Sequence, residues 1–296
     1  MSILSDNKNK GPKGLRTLLK KGIVAAPGVF NGISAELAER SGARALYLSG
    51  SGVAGAMGLP DLSVTTLDEL AEKVREITAV TTLPLIVDVD TGFGEVINVM
   101  RTVRLMEQSD AAAIHMEDQV LPKKCGHLPG KMVIPQEEMV LKIKAAVKAR
   151  KDSDFMIIAR TDARAVEGLD SAIARAKVYL KAGADAIFSE ALEDESEFRK
   201  FAKEVKAPLL ANMTEFGKSP LLSSKELESI GYRMVIFPLT AFRASLLTME
   251  SVYRELAASG TQRSVMDKLM TRKKFYEVIG YDEYEKDDAA IFSSKK

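Results

Sequence analysis

The sequence predicts an α/β fold, a (β/α)8 barrel with additional C-terminal helices, on three observations. Short apolar runs alternate with longer amphipathic stretches, the runs number eight, and four of them share a gapless quasi-repeat. The runs centre on Val24, Leu46, Ile86, Ile114, Ile157, Ile187, Leu209 and Val235. They lack period-2 alternation, as expected of strands covered on both faces. Between them, stretches such as 67–77, 137–149 and 170–181 space apolar residues as helices do. Strand–helix alternation implies parallel strands with right-handed crossovers, and closing the sheet removes both edges.

The quasi-repeat reads SGARALYLSG, QSDAAAIHME, KAGADAIFSE and SIGYRMVIFP. Each copy places Gly42, Asp110, Gly183 or Gly231 where a helix ends, a position that favours a left-handed backbone. We expect a tail and lead-in helix over 1–21, the barrel over 22–258, a helical extension over 259–284 and a loose polar tail over 285–296.

Composition narrows the function. The 296 residues hold 42 Lys plus Arg against 41 Asp plus Glu, a net charge of +1 that excludes the basic footprint of a nucleic-acid binder. No stretch approaches the roughly 20 apolar residues of a membrane span. The N-terminal stretch has no secretory pattern, and the single cysteine allows no internal disulfide. A cytoplasmic protein is expected.

In such barrels the active site lies at the C-terminal ends of the strands. Those ends read Ser49, Asp88 with Asp90, Glu117 with Asp118, Arg160 with Asp162, Glu190, and Asn212 with Thr214. In an extended chain Asp88 and Asp90 project to one side. Glu117 adds a third carboxylate, and such a cluster calls for a cation; oxygen ligands select Mg2+, with Mn2+ as the alternative. Two histidines and one cysteine cannot build a zinc site. The loop after the fourth strand carries Lys123, Lys124, Cys125, Gly126 and His127. Two lysines beside Cys125 are expected to favour its thiolate. His115, inside an apolar run, reads as a hydrogen-bonded core residue.

KKCGH, together with YLSGSGVAGAMGLPDL, VDVDTGFG, HMEDQ, ARTDA, NMTEFG and MTRKKFYE, resembles the isocitrate lyase/phosphoenolpyruvate mutase superfamily over residues 22–284. The resemblance implies a carbon–carbon lyase that splits 2-methylisocitrate into pyruvate and succinate within propionate catabolism. It places Mg2+ at Asp88 and Asp90, with Asp61 and Glu117 acting through water. It makes Cys125 the general acid, gives Tyr47 the substrate hydroxyl's proton, and sets Lys123 and His127 in a closing loop. Ser49, Gly50 and Ser51 are implied to hold a carboxylate. Gly126, Arg160, Glu190, Asn212, Thr214, Arg243 and Arg272 would make the remaining substrate contacts. It further implies a homotetramer whose C-terminal helices swap between subunits. Phe188, where isocitrate lyases carry Trp, would leave space for a substrate methyl group. Lyases of 2,3-dimethylmalate, isocitrate or oxaloacetate are the alternatives, and a non-catalytic binding barrel a remoter one.

Overall fold

The computed structural model describes residues 9–293; most of the expected N-terminal tail and the last three residues of the expected polar tail lie outside it. The first half runs α1 (Gly11–Leu19), β1 (Val24–Val29), α2 (Gly32–Arg40), β2 (Leu46–Leu48), α3 (Gly50–Ala56), α4 (Leu67–Thr78), β3 (Leu85–Asp88), α5 (Val96–Gln108) and β4 (Ala113–Glu117). The second half runs α6 (Gln136–Ala149), β5 (Met156–Thr161), α7 (Arg164–Glu167), α8 (Leu169–Ala182), β6 (Ala186–Ser189), α9 (Glu195–Glu204), β7 (Leu209–Asn212), α10 (Ser224–Ile230), β8 (Met234–Phe237) and α11 (Thr240–Ser259). A 3-10 turn at Arg263–Lys268, α12 (Arg272–Ile279) and α13 (Tyr281–Ser293) follow. The tail expected to be loose is helical as far as Ser293.

The strands form a closed parallel barrel in chain order, with Val24 of β1 paired to Met234 of β8. All eight apolar runs became strands, and the four repeat positions take the left-handed backbone, with φ of 93° at Gly42, 60° at Asp110, 112° at Gly183 and 116° at Gly231. Helix starts are fixed locally. Thr66 and Glu69 cap α4 reciprocally, as Ser223 and Glu226 cap α10.

Two apolar layers hold the fold. Val24, Ile86, Met156, Ile158, Phe188 and Met234 fill the barrel interior, and a larger layer packs the strands against the helices. Leu15 of α1 is fully buried in the inner layer. Arg16 beside it donates to the Asp154 carbonyl and pairs with Asp185, ahead of β5 and β6. Thus α1 closes the N-terminal mouth and leaves the C-terminal ends free for chemistry.

Candidate active site

A cavity of about 150 Å3 opens at the C-terminal ends of the strands. Its lining includes Tyr47, Ser49, Ser51, Asp61, Asp88, Lys123, Cys125, Gly126, His127, Arg160, Glu190, Asn212, Thr214 and Arg243. These residues come from most of the strand ends and from loops far apart in the chain.

Asp88 ends β3 and is buried. Its Oδ2 accepts from the Gly50 amide at 3.1 Å, and its Oδ1 accepts from the Asp90 amide at 3.1 Å. Contrary to the expectation, the pair does not share one extended strand: Asp90 lies beyond β3 in a turn with φ of 47°. The turn nonetheless brings the Asp90 carboxylate close: a Cβ built on Gly50 would meet Asp90 Oδ1 at 3.2 Å and Asp88 Oδ2 at 3.3 Å. With its N–H given to Asp88, Gly50 does not offer that group to the cavity.

Electrostatics divides these carboxyls. Burial would raise Asp88, but Lys123 and Arg160, joined by His115 only where its ring is protonated, outweigh it and hold it low. Burial wins at Asp90 and, more strongly, at Glu117, whose carboxyls are raised despite Lys123 and Arg160 respectively. Lys123 inserts its ammonium between Asp61 and Asp90, 3.1 Å from Asp90 Oδ1. Among the described residues no three His, Cys, Asp or Glu side chains are gathered closely enough to hold a metal by themselves. The donors still suit a hard cation. They are buried oxygens, and Glu117 Oε1 has no hydrogen-bond partner. Burial is what raises these carboxyls, and a bound cation would offset that cost by stabilising their charged forms.

Tyr47 lies on the barrel axis side of β2, its hydroxyl 2.8 Å from His115 Nε2 and 3.5 Å from Asp88 Oδ2. Burial pushes the phenol well up and pushes His115 down to about 4, so both are neutral near pH 7. His115 is the core residue expected, but it is also the group that fixes Tyr47, which the apolar pattern around it concealed.

Arg160 is the central cation. Its Nε lies 3.1 Å from Glu117 Oε2 and 2.9 Å from Asp162 Oδ2, and its Nη1 3.3 Å from Glu190 Oε2. Asn212 Nδ2 donates to both Glu190 oxygens at 3.3 Å. Burial would raise the Glu190 carboxyl, but Arg160 and His127 outweigh it and keep it ionised. Phe188 lies behind Arg160, 5.0 Å from the guanidinium to the ring centroid, fully buried and outside the cavity lining. Its ring packs against Arg160 and His115 behind the cavity wall.

The loop 119–134 folds over this cavity. Gln119 exchanges two 2.9 Å hydrogen bonds with the Lys124 backbone. His127 Nε2 lies 2.8 Å from Glu190 Oε1, and its Nδ1 accepts from the Lys218 amide at 2.9 Å. Cys125 is partly buried, and burial, with Glu190 and Asp61 adding to it, raises its thiol. The expected thiolate is thus corrected. Lys123 is committed to Asp61 and Asp90, Lys124 is exposed, and neither offsets the loss of solvent.

Arg243 pairs with Glu215 at 2.8 Å on the cavity rim. Arg272 is not brought to the cavity. It opens α12 and is exposed, because the C-terminal extension packs on the outside of the barrel, where Arg40 of α2 donates to the Val278 carbonyl. Sequence reasoning also missed Lys131, buried with its ammonium against Asp162 and the Gly126 carbonyl. Its position four residues past the KKCGH run was the available signal.

A parallel barrel whose strand ends converge on buried carboxylates, a clamped arginine and a lidded thiol defines an enzyme for a small anionic substrate. The chain belongs to the phosphoenolpyruvate phosphomutase family, which matches residues 15–257. It is 57% identical over 278 residues to a protein from Aeropyrum pernix named 2-methylisocitrate lyase, covering 94% of this chain and 90% of that one. Among solved structures, a 2,3-dimethylmalate lyase of the PEP mutase/isocitrate lyase superfamily superposes with a TM-score of 0.89 at 36% identity, over 95% of each chain. A phosphonopyruvate hydrolase in complex with oxalate and Mg2+ superposes with a TM-score of 0.86 at 30% identity, over 98% of this chain and 99% of that one.

Proposed function

We propose that the protein is a carbon–carbon lyase that cleaves 2-methylisocitrate to pyruvate and succinate with Mg2+, or alternatively Mn2+. The observation that carries this conclusion is the 57% identity to a 2-methylisocitrate lyase across nearly the whole chain, joined to a cavity in which Cys125 faces Arg160 and buried carboxylates. Asp88 and Asp90 would hold the ion, with Asp61 and Glu117 supporting it through water. Bound there, the ion would supply Lewis-acid stabilisation of the negative charge that develops during cleavage.

The chain's own groups do the rest. Ser49 and Ser51, set by the turn at Gly50 whose amide is tied to Asp88, bind the substrate carboxylates and hydroxyls with Arg160, Glu190, Asn212, Thr214 and Arg243, the arginines through charge-assisted hydrogen bonds. Tyr47 orients the substrate hydroxyl and its proton towards His115 and Asp88. As the carbon–carbon bond breaks, the hydroxyl carbon becomes the carbonyl of pyruvate and the electron pair stays on the adjacent carbon. Cys125 delivers its proton there, completing succinate, and the hydroxyl's proton restores the thiol. A positioned acid is worth about 10²–10⁴ in rate. Lys123, Gly126 and His127 hold the lid that excludes water.

The barrel over 22–258 is the catalytic unit, and the setting is a cytoplasmic enzyme of propionate catabolism in the methylcitrate cycle. We also propose a homotetramer with swapped C-terminal helices. In its support, Phe242 is the only buried residue of the 20-residue α11, while Leu246, Leu247, Met249, Tyr253 and Leu256 are exposed. A groove of about 550 Å3 between α2 and α11, lined by Pro27, Phe30, Leu37 and Ala241 among others, offers matching apolar surface. Within one chain Arg272 stands away from the cavity, so its substrate contact requires a neighbouring copy.

One observation favours a second reading. The cavity is small, and a 2,3-dimethylmalate lyase shares the fold across 95% of the chain, so that smaller diacid is the rival substrate. Steady-state assays of pyruvate release test both. We expect kcat/KM for 2-methylisocitrate to exceed that for isocitrate at least about tenfold, since a methyl group in a shaped pocket is worth roughly 1–3 kcal/mol. Faster turnover of 2,3-dimethylmalate would move the assignment to that substrate.

A further inference from the structure

The lid's far end carries a buried cation with no part in the chemistry above. The Lys131 side chain is 2% exposed. Its ammonium donates to the Gly126 carbonyl, one residue past Cys125, and lies 3.1 Å from Asp162 Oδ1. The same Asp162 clamps Arg160, accepting from Nη2 at 3.2 Å and from Nε at 2.9 Å. Asp162 is itself fixed, because its amide donates to Asp118 Oδ1 at 2.9 Å while Asp118 Oδ2 accepts from Tyr179 and Thr161 at 2.8 Å. The loop rests directly on the arginine: a Cβ on Gly126 would stand 2.6 Å from Arg160 Nη2.

An ammonium buried without acceptors is strongly disfavoured. Lys131 can therefore stay inside only while both acceptors are present, which requires the loop to be down over Asp162, the same carboxylate that holds Arg160. We infer that Lys131 is a positioning residue, a latch that ties closure of the Cys125 loop to the placement of Arg160. It touches no reacting atom. It rests on the proposed lyase function only in taking Cys125 and Arg160 as the groups being placed.

The chain's single cysteine makes the test direct. Iodoacetamide alkylation of Cys125 is timed in the ligand-free, full-length protein at fixed pH, with melting temperature and circular dichroism as fold controls. Lys131→Met is expected to raise the alkylation rate at least about tenfold, because local opening exposes the thiol. Lys131→Arg should return it to within about threefold of the original. Loss of a nearby positive charge alone would raise the thiol pKa and slow the reaction, so the sign separates a latch from a purely electrostatic role. If Lys131→Met fails to fold, Lys131→Gln takes its place in the same comparison. An unchanged or slower rate in the folded variant overturns the latch. Faster alkylation in a protein that leaves 2-methylisocitrate intact would keep the latch and discard the substrate assignment; cleavage with unchanged alkylation would do the reverse.

Discussion

Cys125 carries a thiol raised by burial at a point where the proposed chemistry needs a proton. A raised pKa keeps the proton in place near neutrality, and the sign has a consequence. Alkylation of the ligand-free protein is expected to keep accelerating with pH beyond the ordinary thiol range near 8.5. Cys125→Ser should fall at least about 10²-fold in kcat with little change in KM, since a hydroxyl is a far weaker acid and the contact matters only in the transition state. A near-normal kcat in that variant would remove the cysteine from the mechanism. Asp88 offers a second check. It ends a strand and sits among the carboxylates proposed to hold the ion, so Asp88→Ala should abolish turnover while far-UV circular dichroism stays that of the parent. Turnover that survives in Asp88→Ala with EDTA present would refute the metal assignment.

At the scale of elements, helix ends do much of the specifying. Gly183 closes α8 with φ of 112°, and a Cβ there would meet Val147 Cγ2 at 3.1 Å. Gly183→Ala is therefore expected to destabilise the protein by about 1–2 kcal/mol, the scale of one L-residue forced left-handed, as read by urea unfolding. A loss under about 0.3 kcal/mol would mean that the helix end rearranges freely. Such signals are local, which is why the strands and the repeat positions Gly42, Asp110, Gly183 and Gly231 were legible in the sequence. The turn at Asp90 and the length of α13 were not. Asp90 is turned by its own amide bonding back to Asp88, and α13 is polar enough to look like a free tail. The same limit hid the inner ties of the lid, since the partners of Lys131 and His127 come from distant loops and elements.

For the whole molecule, the strand-end rule placed most of the site, because a closed parallel barrel delivers every strand's last residue to one rim. Arg272 and Phe188 fell outside that rule: one belongs to the external extension and the other to the barrel interior. The exposed apolar face of α11 carries the oligomer proposal, and Leu247→Asp with Tyr253→Asp should dissociate the assembly in light-scattering measurements. A wild type that is monomeric at micromolar concentration would contradict the assembly. The central claim is that this chain breaks a carbon–carbon bond and delivers one proton to the released carbanion. Turnover of 2-methylisocitrate with Mg2+ in D2O, followed by mass spectrometry, tests it most directly. The expected products are succinate with one carbon-bound deuterium and pyruvate with none at the moment of release, with no adduct on Cys125. Intact substrate, succinate without deuterium, or a covalent species on Cys125 would contradict it.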